Sequence, residues 1–401
     1  MKKSRNLPII IASTISFIIG LGLRPFYRLV QDSSFYNYVD TSFISATEFT
    51  AENYDSPIDG YGSWISPKGN MYMGTWTNGH LPYGTLITDR SVYVGELCGL
   101  SPHGYGVMYY NNGNIYKGNW RYGNKEGIGL KYNTDGSMFF GYWRAGLFSS
   151  QKHTQFKVSD FVYGIDLSFY QNYQEGNNLY WNELALYSDK NGEVYPYTTN
   201  NKTFMQPVQF VFIKATQGIR KDPLYLKHIE QARKYQVIVG SYHFFTIGDD
   251  IDEQIKNFIK TANWVKGDLP PVLDLECEYY VKGDERPYIK ALRKYGVSQM
   301  KENALRWLKS IEDYYGVKPI IYTSERWRRE FLNDQRFEHY NFRIARYYNV
   351  KPADNSKWLF WQRTDAHFPN GYETKGRNGV DVNLFNGTFA DFNNYRKAMH
   401  Q

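Results

Sequence analysis

The chain has 401 residues, 42% of them hydrophobic, which gives room for two or more domains with sizeable cores. Its formal net charge of +7 favours an anionic neighbour such as cell wall or a membrane surface, but no Lys/Arg run is dense enough to argue for nucleic acid, and no nucleic-acid partner is expected. The 2 cysteines, Cys98 and Cys277, are far apart and make neither a disulfide framework nor a zinc spacing, so both are read as buried thiols.

At the N-terminus, Lys2, Lys3 and Arg5 precede an uncharged apolar stretch at 7–23, and Arg24, Phe26, Tyr27 and Arg28 follow it. At about 17 residues this stretch is at the short end of what spans a bilayer. The flanking aromatics suit an interfacial belt. Residues 1–28 are read as an uncleaved signal anchor or, using Gly20-Leu21-Gly22 as a small-x-small site, a cleaved signal peptide. Either predicts export: to the cell envelope, membrane-anchored through the N-terminal segment with the rest extracytoplasmic, or secreted. A buried core helix is the remaining reading. Residues 29–60 form a polar tether rich in Ser, Asp and Tyr.

From 61 to 147 a pattern recurs about every 22 residues. It stands as Tyr72-x-Gly74-x-Trp76-x-x-Gly79, then Tyr93-x-Gly95, Tyr116-x-Gly118-x-Trp120-x-x-Gly123 and Phe139-x-Gly141-x-Trp143-x-x-Gly146. Periods of this length mean stacked supersecondary units. Tyr-x-Gly-x-Trp alternates as a strand does, and Gly104-Tyr-Gly106 and Gly127-Ile-Gly129 supply turns or close approach. Each unit is predicted to be a β-hairpin, with aromatic rings forming the core because aliphatics are few. The motif resembles the MORN repeat, with Leu97 where the second copy should have Trp. That resemblance implies a spacer, or a surface for a lipid or protein partner. Residues 148–157 are read as a linker.

Residues 158–401 alternate strand-like and helix-like segments. Strands are predicted at 161–168, 208–215, 237–244, 271–276, 319–324, 342–347, 358–363 and 380–385. Helical patterns fill the first five gaps, including 223–235, 250–265 and 299–315; the last two gaps lack helical periodicity. Eight strands with about five helices predict an α/β fold: an irregular (β/α) barrel whose final strands lack covering helices. In such barrels the active site sits at the C-terminal ends of the strands.

The most informative segment is Pro271-Val272-Leu273-Asp274-Leu275-Glu276. Spaced i and i+2 on a strand, Asp274 and Glu276 share one face, about 7 Å apart. Two acids held this close push a pKa upward, which suits a general acid. Asp166 lies near the end of the first strand and Asp381 in the eighth, which closure makes adjacent to the first. Four carboxylates are therefore expected around one mouth.

The ordered motifs Gly164-Ile-Asp166-Leu-Ser168, Phe212-Ile-Lys214-Ala-Thr-Gln217-Gly, Gly240-Ser-Tyr242-His243-Phe244, Asp274-Leu-Glu276, Tyr322-Thr-Ser324, Ile344-Ala345-Arg-Tyr347, Trp361-Gln362 and Val380-Asp381-Val-Asn383 resemble glycoside hydrolase family 25, the Chalaropsis-type lysozymes. The resemblance spans about 158–390. It implies an N-acetylmuramidase acting on peptidoglycan glycan strands, with Glu276, Asp274, Asp166 and Asp381 as catalytic residues. Tyr242, Phe244, Tyr322, Tyr347, Trp361, Gln362 and Lys214 are the candidates for substrate binding. No metal and no organic cofactor is implied.

Gln217 stands where the family usually has Glu, and the long connection from about 180 to 207 is expected to cap or extend one side of the groove. Glycoside hydrolysis needs a proton donor and a second carboxylate for the developing oxocarbenium ion. Glu276 is assigned as general acid. Asp274 either orients the substrate's 2-acetamido group for attack or leaves attack to a water with an Asp as base. His243 is read as a hydrogen-bonded structural residue. Two alternatives stay open: a catalytically weak wall-binding or scaffolding protein acting through the repeats, and a hydrolase of another N-acetylhexosamine polymer such as chitin.

Overall fold

The computed structural model describes residues 59–149, 162–172, 177–189, 192–194, 204–276, 287–347, 351–353, 357–375 and 379–399. The chain divides into two compact units, Met1–Lys157 and Val158–Gln401.

The first unit holds β1 (Gly60–Ile65), β2 (Met71–Trp76), β3 (Tyr83–Ile87), β4 (Ser91–Cys98), β5 (Ser101–Tyr110), β6 (Ile115–Arg121), β7 (Asn124–Tyr132), β8 (Met138–Arg144) and β9 (Leu147–Phe148). They form one 9-stranded antiparallel sheet whose spatial order is the chain order. Every connection is therefore a hairpin.

Glycines face one another across the sheet, as in Gly95↔Gly106 and Gly118↔Gly129. The reason is steric: a Cβ on Gly129 would lie 2.2 Å from the Tyr116 hydroxyl oxygen. The glycine row is the slot that receives the tyrosine rings. Each repeat tryptophan then donates its indole N–H to a glycine carbonyl in the preceding repeat: Trp76 to Gly62 (3.2 Å), Trp120 to Gly106 (3.1 Å) and Trp143 to Gly129 (3.0 Å). Tyr116 meets Trp120 and Trp143 edge-on, with ring centroids 5.0 and 5.2 Å apart.

Leu97 fills the degenerate tryptophan position and is buried in the same cluster. The opposite face carries a second, mainly aliphatic cluster of Met71, Ile87, Val92, Val107 and Tyr109. The aromatic count concealed it, because strand alternation needs only one residue in two to serve each face. Cys98, expected to be buried, is exposed at the end of β4, and Cys277 lies outside the described residues.

The second unit contains β10 (Tyr163–Leu167), β11 (Asn178–Leu179), β12 (Ala185–Ser188), β13 (Phe204–Gln217), β14 (Arg220–Lys221), β15 (Ile238–Phe244), β16 (Val272–Asp274), β17 (Ile320–Ser324), β18 (Asn341–Ala345), β19 (Trp358–His367), β20 (Tyr372–Glu373) and β21 (Val380–Phe385). Eight of these close an irregular (β/α) barrel in the order β10-β13-β15-β16-β17-β18-β19-β21, with β21 returning to β10. The last strand runs antiparallel to both β19 and β10. The gaps between parallel strands carry the helices Tyr225–Lys234, Ile251–Thr261, Pro287–Tyr295, Val297–Tyr315 and Glu325–Phe331. Asp250 caps the second of these by accepting from the Asp252 and Glu253 N–H groups.

The first gap differs from expectation. Its described part has a single helical turn at Phe169–Asn172, then β11, a 3-10 turn and β12, and no covering helix. β12 pairs with the start of β13, Glu193 forms an ion pair with Arg363, and the Tyr187 N–H reaches His367 Nε2 at 3.3 Å.

Alternation sorts the barrel into two cores. Tyr163, Ile165, Val211, Ile213, Leu273, Ile321, Phe342, Ile344 and Val382 face the helices and pack with Trp307, Ile229 and Phe258. Phe210, Phe212, Phe360 and Phe385 fill the interior, with Phe210–Phe360 centroids 5.1 Å apart. Phe392, on the closing helix Phe389–Ala398, packs 5.1 Å from Phe385. Gly164 is glycine because a Cβ there would lie 2.2 Å from the Phe210 ring.

The expected membrane partner and membrane-anchored localisation are corrected. No helix among the described residues is long and apolar enough to cross a membrane. The apolar stretch 7–23 and the tether 29–58 lie outside those residues.

Candidate active site

The inward positions nearest the C-terminal ends of the parallel strands bring the polar residues together. Asp166 lies one residue before the end of β10, Lys214 on β13, Tyr242 on β15, Asp274 ends β16, Tyr322 lies on β17, Arg343 on β18 and Gln362 on β19. Asp381 stands at the start of β21. Because that strand is antiparallel, its N-terminal end meets the C-terminal ends of the other seven, and Asp381 joins them.

Asp166 is buried and fully engaged. It is ion-paired with the Arg343 guanidinium, and it accepts from Gln362 Nε2 (2.8 Å) and Asn383 Nδ2 (2.8 Å). Arg343 is 2% exposed and also donates through Nε to Asn383 Oδ1 at 2.8 Å. Its guanidinium lies 4.5 Å from the ring centroids of both Phe212 and Tyr322. A buried cation so placed fixes the arrangement of several strands at once.

Gln362 is the hub of the mouth. Its Nε2 donates to Asp166 Oδ2 (2.8 Å) and Asp381 Oδ2 (3.0 Å), and its Oε1 accepts from the hydroxyls of Tyr322 (2.7 Å) and Tyr347 (3.1 Å). All four of its hydrogen-bonding positions are used.

The acid pair is poorly solvated. Asp274 is buried, and its Oδ1 has no hydrogen-bond partner among the described residues. Burial, reinforced by repulsion from Glu276, pushes the Asp274 carboxyl well above the usual range. Glu276 follows the end of β16 and is half-buried. Loss of solvation raises it from 4.5 to about 7, against the attraction of Arg343 and a hydrogen bond to Tyr322. Asp381 is also raised, by burial and then by Asp166. The cluster thus sets two buried cations, Arg343 and Lys214, beside four carboxylates, of which Asp274, Glu276 and Asp381 are pushed toward the protonated form.

The other predicted residues fall into two groups. Tyr242 is half-buried and faces Asp166, Asp274 and Asp381, whose charges add to burial in raising its hydroxyl pKa. Lys214 lies 5.3 Å from the ring centroids of both Tyr170 and Phe244, and donates to Gln217 Oε1 at 3.3 Å. Both Phe244 and Lys214 are buried.

Trp361 is not brought to the acids. It is buried in the layer between strands and helices, and its indole N–H donates to the Arg346 carbonyl at 2.7 Å. Neighbours on a strand face opposite ways, so Trp361 and Gln362 cannot share the mouth. His243 faces outward, stacked on Trp307 at 5.4 Å. Gln254 Oε1 can only accept, so His243 donates from Nε2 (3.0 Å) and accepts from Thr216 at Nδ1 (2.7 Å). Burial lowers its pKa to about 4, leaving it neutral and structural.

Sequence reasoning passed over Arg343 and gave Asn383 no role. Alternation held the signal for Arg343: Phe342 and Ile344 are the apolar, helix-facing residues, so the cation between them must point inward.

Comparison with known proteins gives the same picture for the second unit. Residues 165–372 match the model of glycosyl hydrolases family 25. The chain is 30% identical over 233 residues to the uncharacterized protein YegX of Escherichia coli K12, covering 57% of this chain and 71% of that one. Among solved structures, a family 25 glycosyl hydrolase from Bacillus anthracis is 22% identical, with 62% of this chain and 99% of that one covered and a TM-score of 0.42. A family 25 lysozyme from Aspergillus fumigatus is 26% identical, covering 60% of this chain and 100% of its own, also with a TM-score of 0.42. The chain belongs to glycosyl hydrolases family 25 and is a glycoside hydrolase.

Proposed function

We propose that the protein is a peptidoglycan hydrolase that cleaves the β-1,4 bond between N-acetylmuramic acid and N-acetylglucosamine. Family membership supports the reaction class. The observation that carries the rest is the acid pair: two carboxylates at the end of β16, one raised to about 7 and the other with an oxygen that lacks a donor. Glu276 is the general acid that protonates the leaving oxygen. Asp274 accepts the N–H of the substrate's 2-acetamido group at its free Oδ1 and orients that group toward the anomeric carbon. Asp166 and Asp381, tied together through Gln362, position the pair and tune its protonation.

Tyr242, Phe244, Tyr322, Tyr347, Gln362 and Lys214 line the sugar path. The 9-stranded sheet of the first unit is read as a MORN-type hairpin array. The three Trp-to-Gly bonds, each spanning the same 14 residues, support that reading.

The test is incubation of the protein with purified peptidoglycan and mass spectrometry of the new reducing ends. Ends at N-acetylmuramic acid are expected. No release by wild type, or equal release by Glu276→Gln, overturns the assignment, and release from chitin alone redirects it to another N-acetylhexosamine polymer.

A further inference from the structure

The hairpin of β13 and β14 carries one edge of the barrel mouth out into solvent. A register shift between Lys214 and Thr216 resets the alternation of β13. Gln217 therefore turns to the same side as Lys214, and its Oε1 accepts from the Lys214 Nζ at 3.3 Å. Across the turn Gly218-Ile219, Gln217 is paired with Arg220. Directly opposed residues of an antiparallel pair place their side chains on one face, so Arg220 stands on the mouth side of the hairpin, beside Gln217. Lys221, opposite Thr216, takes the other face.

The turn is anchored at several points. Gly218 adopts a φ of 53°, and its N–H donates to the Phe244 carbonyl at 3.0 Å. Asn257, on the helix Ile251–Thr261, donates through Nδ2 to the carbonyls of Gly218 (3.0 Å) and Arg220 (3.1 Å). Asp222, just beyond β14, donates its N–H to the Ala215 carbonyl at 2.9 Å. Its carboxylate accepts from the Phe169 and Leu224 N–H groups, each at 2.9 Å. The backbone is thus fixed, while Ile219 at the tip is 58% exposed and Arg220 is exposed as well.

Arg220 forms no ion pair with another described residue. Its cross-strand neighbour Gln217 is neutral, and Asp249, whose carboxylate lies against Gly218, does not pair with it. A guanidinium offers a planar fork of donors that matches a carboxylate, and here the strand that carries it is already in place. Resting on the reading of the barrel as a peptidoglycan hydrolase, we propose that Arg220 is a specificity-determining residue: it binds a carboxylate carried by the muramic acid side chain and so favours acidic glycan over neutral N-acetylhexosamine polymers. That carboxylate is either the lactyl group, where it is free, or an acid of the peptide stem attached to it.

The experiment compares the full chain with Arg220→Gln and Arg220→Glu on soluble glycans. These are strands bearing peptide stems, strands stripped of stems so that the lactyl carboxylates are free, both kinds with their carboxylates converted to neutral amides, and chitin oligomers. KM and kcat are read from new reducing ends, and Kd by calorimetry in the Glu276→Gln background. Arg220→Gln is expected to raise KM and Kd by about 5- to 10-fold on carboxylate-bearing strands with kcat kept, and Arg220→Glu to raise them further. The difference is expected to disappear on amidated strands and on chitin. A loss confined to stripped strands identifies the lactyl carboxylate, and one confined to stem-bearing strands identifies a stem acid. Equal KM and Kd for wild type and variants on both kinds of acidic strand, or an equal loss on amidated strands, overturns the proposal. If wild type cleaves none of these glycans, the hydrolase reading falls, while calorimetry still reports whether Arg220 selects a carboxylate.

Discussion

The two units solve opposite problems with the same residue types. In the hairpin sheet, the repeated polar contacts are short in sequence: the three tryptophan N–H groups each reach back 14 residues, and Tyr116 donates to the carbonyl only 3 residues on. In the barrel, the bonds that Asp166 makes at the mouth join residues 177, 196 and 217 positions apart. A repeated local bond can be lost from one copy and leave the others intact, as Leu97 in place of tryptophan shows. The barrel mouth has a single copy of each member, and losing one strands several partners.

That contrast sets an order of expected effects. Glu276→Gln removes the proposed proton donor and is expected to reduce the release of reducing ends by about 100-fold or more, with little change in the urea midpoint below about pH 4.5, where wild-type Glu276 is protonated in both the folded and unfolded chain. Arg343→Met leaves Asp166 buried without its cation, which should cost about 3–5 kcal/mol in the barrel unit, read from the exchange of its strand amides during urea unfolding. Gly129→Ala drives a methyl group into the Tyr116 hydroxyl and is expected to cost about 1–3 kcal/mol, confined to the sheet. Trp120→Phe removes one N–H bond to Gly106 for about 1 kcal/mol, and leaves turnover of a soluble oligosaccharide at the wild-type level. If Trp120→Phe destabilises as much as Arg343→Met, the distinction between redundant and single-copy networks fails.

The pH response sharpens the same contrast, because the strongly raised carboxyls named above belong to the barrel. Glu276, raised to about 7, is protonated below that value. The kcat/KM for glycan cleavage should therefore fall as pH rises through about 7. The stability sign follows from linkage. The unfolded chain releases this proton near 4.5 while the folded barrel keeps it, so stability is greatest below about 4.5 with respect to this group and is lost as pH rises toward 7. Urea midpoints of wild type and Glu276→Gln across that window measure the difference, which should vanish for the sheet unit.

Much of this was legible from one dimension. The Tyr-x-Gly-x-Trp period marks the hairpins because each repeat makes its contacts with its immediate neighbours. The strand positions of the barrel follow from short apolar runs, and the spacing of Asp274 and Glu276 marks the acids before any fold is known. Trp361 shows where the reading stopped: its aromatic character suggested sugar stacking, but strand parity turns it toward the helices and gives the mouth to Gln362. The first gap shows another limit, since its described part forms short strands, β11 against β20 and β12 against β13, and no covering helix.

Asp381 marks the division most clearly. The sequence by itself determined that an acid stands at the start of the last strand and that this strand is next to the first once the barrel closes. Only the tertiary structure decided that the strand runs antiparallel, which carries its beginning to the end where the other seven finish. The polar network has the same origin. In sequence Arg343 and Asn383 carry no assigned role and Gln362 is expected only to bind substrate; barrel closure buries all three beside Asp166. Hydrophobic periodicity is set by each segment alone, whereas a buried hydrogen bond needs both partners, and closure supplies the second.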